Sequence, residues 1–474
     1  MTHRRTLRMF LPFALFTALL TTAASAQGAT MIGMESNREL VNSTQTPELQ
    51  AQALDLMKEQ GVQVVRANYR WYDAAEGCAG QTSKALENPN NPCYNWGRFD
   101  GIVKQANDRG MQVLISIQQN PVWLLNTDNR LWMGTTNKQF ARVLEHYVAF
   151  HKAAATRYKQ GSPNGFIKFW TVHNEPNSRN YWGGGITAPN VARYAQLYGR
   201  TAVAIKQASP TSLIAPGPTG PTGGSGGIKP RKFLQDFQKH VVKYLPGGLA
   251  NKKRYINAYA HNPYPGYNIQ PSKTKTVPHP DNITMGSIDR LFQQLDRAPI
   301  TRGTNVWATE YGWETNGPFS TSLNLQQIFI PEAFDWLDSK RRVTIGISYN
   351  MTDPPAADTG DWTSGTITNG GIKKPSFKMF QRMISVPAAG LSNGVKRGTV
   401  VKVWGRSNVN PAGGRLAYNI VGTKAWYFIP GQRKDANKGI RASFKVTRNV
   451  RFAVWDPTGG KLGTYGPTRA VAAR

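Results

Sequence analysis

Acidic residues and cysteine are scarce in this sequence. Its 474 residues include 27 Asp and Glu against 58 Lys and Arg, which gives a formal charge of +31, and they include two cysteines. Two cysteines are too few for a disulfide scaffold or for a zinc site with four thiolates. The 40% of hydrophobic residues is enough to form a large core, which argues against a disordered, collagen-like or coiled-coil protein.

Long apolar runs are absent beyond the N-terminus, where a membrane span would need about 20 apolar residues. At the N-terminus itself, basic residues precede an apolar run from Met9 to Leu20, and Ala24-Ser25-Ala26 follows it. This pattern predicts a signal peptide over residues 1–26, cleaved after Ala26, and therefore a secreted protein. A retained membrane anchor is the alternative, but the run is short and Pro12 interrupts it.

Export would place the two cysteines in an oxidising environment. Cys78 and Cys93 are therefore predicted to form a disulfide across a loop rich in Asn, Pro and Gly. A link of this length stabilises a fold by about 3 kcal/mol in the chain-entropy model. A pair of buried free thiols is the alternative.

Short β-branched runs alternate with helical patterns between residue 29 and about residue 385. The predicted strands lie near residues 29–34, 62–66, 113–117, 167–172, 212–215, 255–260, 305–309 and 343–349. The predicted helices lie near residues 47–60, 99–109, 137–159, 189–207, 231–244, 284–297, 324–339 and 376–384. Eight strand–helix units predict a closed (β/α)8 barrel, an α/β fold, over residues 27–386. A doubly wound open sheet is the structural alternative.

The pattern changes after Pro387, where strand-like runs are separated by Gly, Pro and Asn and no helical period appears. These runs predict a small antiparallel, β-sandwich-like module over residues 387–474. Residues 391–474 carry 16 Lys and Arg against two Asp, a net charge of +14. Two interpretations stay open: a solvated surface, or a docking surface for a polyanion such as an acidic polysaccharide, a wall polymer or a nucleic acid.

Two of the predicted barrel strands end in glutamate. The fourth runs into His173-Asn174-Glu175 and the seventh into Thr309-Glu310. Catalytic groups of such barrels lie at the carboxyl ends of the strands, and strands four and seven face each other across the barrel. The two glutamates can therefore flank one bond: carboxylates ~5–5.5 Å apart give a retaining glycosidase, and a wider spacing gives inversion. Each glutamate taken alone could instead be a charge at the start of the following helix.

These segments resemble the signature motifs of clan A retaining glycoside hydrolases. Asn174-Glu175-Pro176 is similar to the segment whose glutamate is the general acid/base, and Thr309-Glu310-Tyr311 is similar to the segment whose glutamate is the nucleophile. The resemblance extends over the whole predicted barrel. Within the clan, Asn95–Asp100 and the helix that contains it are most like glycoside hydrolase family 39, including its exopolysaccharide-cleaving members, and family 5 comes second.

The resemblance implies supporting roles for residues at other strand ends. Arg66 ends the second strand, where the clan keeps an arginine that hydrogen-bonds the nucleophile. His261 and Tyr264 follow the sixth strand, where the clan places a histidine and a tyrosine beside the nucleophile. Asn174 is expected to hydrogen-bond the sugar 2-hydroxyl. These four residues are the predicted supporting set.

The resemblance also implies opposite protonation states for the two glutamates. Glu310 is expected to be ionised, favoured by Arg66 and Tyr264, so that it attacks the anomeric carbon. Glu175 is expected to start protonated, with a raised pKa, so that it protonates the leaving oxygen. No metal ion and no organic cofactor is expected for this chemistry.

Tryptophans in the predicted strand-to-helix loops are candidates for stacking on sugar rings. Trp123, Trp313 and Trp362 are assigned to substrate binding, and Trp71 and Trp182 also fall in such loops. Packing beneath a loop is the alternative for each of them.

Several other residues near the predicted site are open to more than one interpretation. Glu35, just after the first strand, is expected as a surface carboxylate, with a contact to a sugar hydroxyl as the alternative. Glu314 and Asp353 are rival acids close to the motifs. His173 and Tyr349 stand where the clan often has an aromatic residue and a tryptophan, which leaves the sugar-binding floor open.

Together, these patterns predict a secreted glycosidase that hydrolyses the O-glycosidic bonds of a poly- or oligosaccharide. The positive charge favours an acidic or cell-surface glycan, and the basic C-terminal module is a candidate for docking on such a surface. The alternative is a non-catalytic carbohydrate- or polyanion-binding protein of the cell surface. We expect no specific nucleic acid partner and no transmembrane segment in the mature chain.

Overall fold

The computed structural model describes residues 30–42, 46–131, 133–182, 188–265, 269–273, 279–317, 320–355, 362–435, 439–457 and 464–474. The predicted signal peptide lies outside these residues. Within these ranges, no helix is both long enough and apolar enough to cross a bilayer.

The N-terminal part of the described chain contains eight parallel strands arranged in a barrel. They are β1 (Met31–Glu35), β2 (Val64–Arg70), β3 (Gln112–Gln118), β4 (Ile167–Val172), β5 (Leu213–Pro216), β6 (Ala258–His261), β7 (Asn305–Tyr311) and β8 (Val343–Tyr349). Neighbours in sequence are neighbours in space, and β1 pairs with β8. The remaining seam, between β5 and β6, is bridged where Thr219 pairs with His261. This order confirms the (β/α)8 barrel and excludes the doubly wound sheet.

Helices follow the strands and surround the barrel. In the described residues they are α1 (Asn37–Val41), α2 (Pro47–Glu59), α3 (Trp71–Ala75), α4 (Gly97–Asp108), α5 (Val122–Leu125), α6 (Asn137–Arg157), α7 (Arg179–Trp182), α8 (Ala188–Ala208), α9 (Pro230–His240), α10 (Lys252–Tyr255), α11 (Asp289–Asp296), α12 (Leu323–Asp338) and α13 (Pro375–Gln381). The side chain of Thr46 accepts a hydrogen bond from the Leu49 amide, and Pro47 stands in the first turn, so α2 begins where a capping residue and proline favour it.

Side chains from the strands fill the interior of the barrel. Inward residues such as Leu114, Phe169 and Trp307 form a separate apolar cluster inside the strands. Gly33 in β1 allows this packing, because a Cβ there would lie 2.8 Å from the Val64 carbonyl oxygen. Chemistry is therefore confined to the mouth of the barrel, where the strands end.

The C-terminal part of the described chain forms two mainly antiparallel sheets. Their strands are β9 (Arg382–Ser385), β10 (Gly394–Val395), β11 (Val400–Ser407), β12 (Arg415–Ile420), β13 (Trp426–Phe428), β14 (Arg433–Lys434), β15 (Ile440–Lys445), β16 (Val450–Asp456), β17 (Thr464–Tyr465) and β18 (Arg469–Ala473). One sheet has the order β10-β18-β16-β12-β13 with β17 beside β16, and the other has the order β14-β15-β11-β9. An apolar cluster that includes Val401, Leu416 and Phe452 lies between them, which confirms a C-terminal β module.

Three predicted helices are shorter than expected. The one predicted over 231–244 is α9, which ends at His240 and is followed by a 3-10 turn. The helix predicted over 376–384 ends at Gln381, and the chain continues as β9, which pairs with β11 of the C-terminal sheets. The β-branched Ile384 is buried in the C-terminal core, and this tertiary pairing overrides the helical period of the preceding residues. The helix predicted over 284–297 is α11, which covers only Asp289–Asp296 after a short 3-10 turn.

Two arginines, of which Arg406 is buried, attach the C-terminal sheets to the barrel. Arg406 at the end of β11 is 2% exposed, and its Nη1 donates to the Thr30 carbonyl oxygen at 3.0 Å. Arg441 in β15 forms an ion pair of 2.7 Å with Asp335 of α12. Thr30 precedes β1 and Asp335 lies in the second half of α12, so these contacts hold the module away from the strand ends that carry the predicted glutamates.

Candidate active site

A cavity of about 400 Å3 opens at the carboxyl ends of the barrel strands. Its described wall is mostly polar and consists of Asn37, Arg38, Val41, Asn42, Asn68, Arg70, Gln118, Gln119, Asn174, Tyr181, Glu310, Tyr349, Asn350, Thr352, Pro354 and Pro355. The volume lies in the range of small-ligand sites. Amide side chains that donate and accept hydrogen bonds are well suited to sugar hydroxyl groups.

Glu310 ends β7 and lies in the wall of this cavity, with 6% of its surface exposed. Nη1 of Arg66 pairs with its Oε1, and the hydroxyl of Tyr264 donates to its Oε2 at 3.0 Å. Both carboxylate oxygens of Glu310 are therefore held by hydrogen-bond donors. The two contacts predicted from the resemblance, Arg66 and Tyr264, are both made.

Arg66 is completely buried and connects four side chains at the barrel mouth. Its Nη2 donates to Oδ1 of Asn68 at 2.9 Å and to Oδ1 of Asn174 at 3.0 Å. Its Nη1 binds Glu35 as well as Glu310. Burial alone would lower the pKa of Arg66, but the two carboxylates outweigh it and raise that pKa. Asn174 is thereby fixed by its carbonyl oxygen, which leaves its amide nitrogen as the donor toward the cavity.

Glu35 differs from the sequence-based expectation of a surface carboxylate. It ends β1 in register with Arg66 of β2, and its side chain has no exposed surface. It also accepts hydrogen bonds from Asn37 at 2.5 Å and from Asn68 at 2.8 Å. Burial and, more weakly, Glu310 raise the pKa of Glu35 to about 8, while Arg66 opposes this shift. The expectation was wrong because the Glu35 carboxylate is bound, together with that of Glu310, by the guanidinium of Arg66 and not by water.

Glu175 follows β4 and has a different environment from Glu310. It is partly exposed, and its Oε1 accepts a hydrogen bond of 2.9 Å from the amide of Asn262. Desolvation, followed by repulsion from Glu310, raises the pKa of Glu175 to about 7. The carboxyl group of Glu175 can therefore hold a proton near neutral pH.

The backbone at Glu175 is itself unusual. Its φ is 41° and that of His173 is 67°, both in the left-handed region that non-glycine residues rarely adopt. The following Asn177 is fully buried, and its side chain binds both the amide and the carbonyl group of Gly220. Gly220 lies directly against Glu175, where a Cβ would stand 2.8 Å from Oε2. The loop after β5 thus forms a fixed wall beside the Glu175 carboxyl group.

His261 occupies a different position from the one the resemblance implied. Both ring nitrogens are used away from the glutamates: Nε2 contacts the Ile283 carbonyl oxygen at 2.9 Å and Nδ1 contacts the Thr219 hydroxyl at 2.9 Å. Because a carbonyl oxygen only accepts, Nε2 carries the proton and Nδ1 accepts from Thr219. Burial lowers the pKa of His261 to about 4, so the ring is neutral and supports the seam of the barrel.

Asn262, the next residue along the chain, was not predicted from the sequence to belong to the site. Its Nδ2 binds Glu175, and its Oδ1 accepts a hydrogen bond of 2.8 Å from Thr309. It therefore connects the residue before Glu310 to the Glu175 carboxyl group. Its place directly after β6 was the available signal, since the carboxyl end of each strand faces the same mouth.

The three tryptophans assigned to substrate differ in how much ring surface they present. Trp313 is 3% exposed and its Nε1 donates to the Ile269 carbonyl oxygen, so it packs in the core. Trp123 is partly exposed and bonds the Ala75 carbonyl oxygen at 2.9 Å. Trp362 is partly exposed, and its ring lies 4.6 Å from that of Tyr264, the residue that binds Glu310. Trp362 is the one of the three that the structure connects to the predicted nucleophile.

Other residues singled out in the sequence have structural partners. Asp353, which follows β8, forms a buried ion pair of 2.7 Å with Lys374. The ring of His173 is buried beside Trp182, with 5.6 Å between the ring centroids. Tyr349 lines the cavity at the end of β8.

The two cysteines form the predicted disulfide. Cys78 and Cys93 are bonded across 15 residues of the loop between α3 and α4. Cys78 is fully buried within the barrel core, and Cys93 packs against that core. The bond fixes this loop against the helices that surround the barrel.

Comparison with known proteins places the chain in a family. The family model for cellulase, glycosyl hydrolase family 5, matches residues 23–351. No curated protein sequence matches the chain. The clan predicted from the motifs is therefore confirmed, and the matching family model is that of family 5, the second of the two families named there.

Two solved structures share the fold at low sequence identity. One is a family 39 glycoside hydrolase from the gut symbiont Bacteroides cellulosilyticus WH2, with a TM-score of 0.54 and 12% identity over 90% of this chain and 81% of that chain. The other is a glucosidase from Croceicoccus marinus, with a TM-score of 0.53 and 14% identity over 88% of this chain and 80% of that chain. With the family model covering most of the barrel, the chain is a glycoside hydrolase that belongs to the cellulase family, glycosyl hydrolase family 5.

Proposed function

We propose that this protein is a secreted, retaining glycoside hydrolase in which Glu310 is the nucleophile and Glu175 is the general acid/base. One observation carries the assignment: the two glutamates lie at the same barrel mouth in opposite environments. Arg66 and Tyr264 hold both oxygens of Glu310, whereas Glu175 has a pKa raised to about 7. Paired carboxyl groups with opposed protonation are what double displacement requires.

In the first step, a carboxylate oxygen of Glu310 attacks the anomeric carbon, and the bond from that carbon to the leaving oxygen breaks. Glu175 transfers its proton to the leaving oxygen, so the departing sugar leaves as a neutral alcohol. The amide nitrogen of Asn174 is available to bind the hydroxyl group next to the reacting carbon, because Arg66 already occupies its carbonyl oxygen. This hydrogen bond strengthens as positive charge develops on the sugar ring.

In the second step, Glu175 acts as a base. Once Glu310 is esterified, its negative charge disappears, and with it the repulsion that helps to raise the pKa of Glu175. The ionised Glu175 then takes a proton from water, the resulting hydroxide attacks the anomeric carbon, and the ester bond to Glu310 breaks. Two inversions leave the anomeric configuration unchanged.

For the substrate we propose an acidic poly- or oligosaccharide. The described cavity wall contains two arginines, Arg38 and Arg70, and one carboxylate, Glu310. The side chain of Arg38 is 34% exposed; its Nη1 donates to the Asp353 carbonyl oxygen at 2.7 Å and its Nε lies 3.8 Å from Glu39, while Arg70 pairs with Asp73 at 2.9 Å. A fixed guanidinium at the rim favours a carboxylate on a neighbouring sugar. The charge of the C-terminal residues supports a second role for the module, which is docking on an anionic glycan or cell surface.

Export is part of the same proposal. The leader-like residues before Gln27 support cleavage after Ala26, and the Cys78–Cys93 disulfide supports an oxidising compartment. A polysaccharide too large to enter a cell also requires its hydrolase outside.

The test is reducing-sugar release from a panel of neutral and acidic polysaccharides. Wild type should release sugar from an acidic member, Glu310→Gln should release none, and Glu175→Gln should be slower by roughly 10²–10⁴-fold. Glu314→Gln is the matched control, because this partly exposed glutamate lies next to the motif and should keep wild-type activity. Full activity in Glu310→Gln would contradict the mechanism, and release from neutral polymers alone would contradict the acidic substrate.

A further inference from the structure

The sheet that contains β12, β13 and β16 presents an aromatic surface on the side away from the module's core. Side chains alternate along a strand, so Leu416, Phe452 and Val454 point into the core and their neighbours point outward. We define the aromatic face as the outward residues Arg415, Trp426, Phe428, Arg451, Trp455 and Tyr465, which the strand register brings together.

Four rings lie on this face in two pairs. Trp426 and Tyr465 stack with 4.6 Å between ring centroids and an interplanar angle of 20°. Phe428 meets the edge of Trp455 at 5.3 Å. Although these rings come from three different strands, they reach each other because the strands between them carry small residues.

The small residues are Ala417 and Ala453, which stand opposite each other in β12 and β16. Both are completely buried even though they point outward, so the rings lie over them. Phe428 and Tyr465 nevertheless remain 36% and 39% exposed. The rings cover the two alanines and still expose part of their own surface to solvent. Soluble proteins rarely expose contiguous apolar patches, so exposed aromatic surface of this kind indicates a ligand-binding site.

Cationic side chains accompany the rings. The guanidinium of Arg415 lies 3.6 Å above the Phe428 ring, and Arg451 is exposed beside Asn419 in the next strand. None of the residues that β12, β13 and β16–β18 present on this side is acidic, and residues 391–474 carry a net charge of +14. A second copy of the chain would bring the same positive charge to this face, which disfavours self-association.

We propose that the aromatic face is a second glycan-binding site, specific for polysaccharides that contain uronic acids. The faces of pyranose rings carry C–H bonds that pack on aromatic rings, and the exposed parts of the two ring pairs offer surface for such contacts. Arg415 and Arg451 then pair with the sugar carboxylates. This site deepens the docking role in the proposed function, and so rests on it. The face would hold the enzyme on the polymer that its barrel cleaves.

The test is affinity electrophoresis of the full-length protein in native gels that contain polygalacturonate. Replacing both Trp426 and Tyr465 by Ala should weaken retardation by roughly tenfold or more, as loss of central aromatic contacts does at other binding sites. Arg415→Gln with Arg451→Gln should weaken it similarly and should reduce its dependence on salt. Polygalacturonate should bind more tightly than an uncharged glucan.

Matched controls separate this site from general charge and from catalysis. Lys402→Gln with Lys445→Gln removes two exposed positive charges from the other sheet, and Tyr427→Ala removes an exposed ring on the opposite side of β13. Both should bind as wild type. Glu310→Gln should also bind as wild type while failing to hydrolyse, and the aromatic-face variants should cleave short soluble substrates normally. Failure of the glycosidase proposal would therefore be visible independently of binding.

Three results would overturn the site. The first is a wild-type protein that polygalacturonate does not retard at low salt, and the second is aromatic-face variants that bind as wild type does. The third is tighter binding to single-stranded DNA with the same sensitivity to these variants, since bases also stack on aromatic side chains. That result would assign the face to a nucleic acid instead.

Discussion

Gly220 lies in contact with Glu175, so close that a Cβ on the glycine would stand 2.8 Å from Oε2 of the carboxyl group. The glycine cannot move aside, because Asn177 binds its amide and carbonyl groups from the segment that also contains Glu175. The Glu175 carboxyl group, the proposed general acid, can therefore occupy its position only because residue 220 has no side chain. This relationship joins the loop after β5 to the loop after β4.

Gly220→Ala is therefore expected to displace the Glu175 carboxyl group while the barrel stays folded. A displacement of a reacting group by about 1 Å lowers kcat by roughly 10²-fold. Steady-state kinetics and thermal unfolding measure both effects. Gly370→Ala is the control, because its Cβ would meet no atom closer than 4.0 Å, and it should leave kcat unchanged. Wild-type kcat in Gly220→Ala would show that the Glu175 position does not matter.

The pH profile should report the protonation of Glu175. Because its pKa is raised to about 7, the protonated acid is present below that pH and is lost as the pH rises through it. We expect kcat/KM to fall above about pH 7, by about tenfold per pH unit. Asn262→Ala removes a hydrogen bond that lowers this pKa, so its alkaline limb should move to higher pH. A shift to lower pH, or no alkaline limb in wild type, would contradict the assignment.

Glu35→Gln should destabilise the fold. The substitution removes one of the two carboxylates bound to Arg66 and leaves a buried positive charge short of a partner. Breaking such a buried pair costs about 3–5 kcal/mol, and urea denaturation at pH 9, above the raised pKa of Glu35, measures the change in the free energy of unfolding. Glu59→Gln makes the same change in an exposed pair with Lys373 and should cost less than about 1 kcal/mol. Equal losses in both variants would contradict the network role of Glu35.

The disulfide gives a prediction that is independent of the active site. Replacing Cys78 and Cys93 by Ala opens a link across 15 residues and should lower the free energy of unfolding by about 3 kcal/mol. Denaturation of wild type under reducing conditions should show a similar loss, while kcat in the native state stays the same. A variant as stable as the oxidised wild type would show that the bond does not restrain the loop.

The sequence predicted those parts of the site that depend on strand ends. Glu310 lies at the end of β7 and Glu175 follows β4, and the carboxyl ends of parallel strands meet at one mouth, so their proximity followed from the alternation of strands and helices. Arg66, predicted to end the second strand, lies inside β2, which continues to Arg70. The same logic applied to Glu35, which pairs in register with Arg66. It was missed because a carboxylate after a strand is usually solvated, and the register across β1 and β2 is a tertiary property.

The direction of single side chains could not be predicted from the sequence. His261 and Asn262 are neighbours, yet the histidine points to Thr219 in the barrel seam and the asparagine points to Glu175. Which of the two enters the mouth depends on how β5 and β6 meet. Trp313 is a similar case, since its burial against Phe329 depends on the position of α12. The aromatic face required the register of three strands before its rings could be recognised as one surface.

Rescue of alanine variants by azide tests the two-glutamate mechanism most directly. With an activated glycoside, azide should restore activity to Glu310→Ala by attacking the anomeric carbon in place of the carboxylate, giving a glycosyl azide of inverted configuration. In Glu175→Ala, azide should instead attack the glycosyl-enzyme ester, giving a product of retained configuration. Proton NMR of the products distinguishes the two. Inverted and retained azides from the respective variants are the predicted result, whereas the reverse assignment, or rescue of neither variant, would contradict the roles given to Glu310 and Glu175.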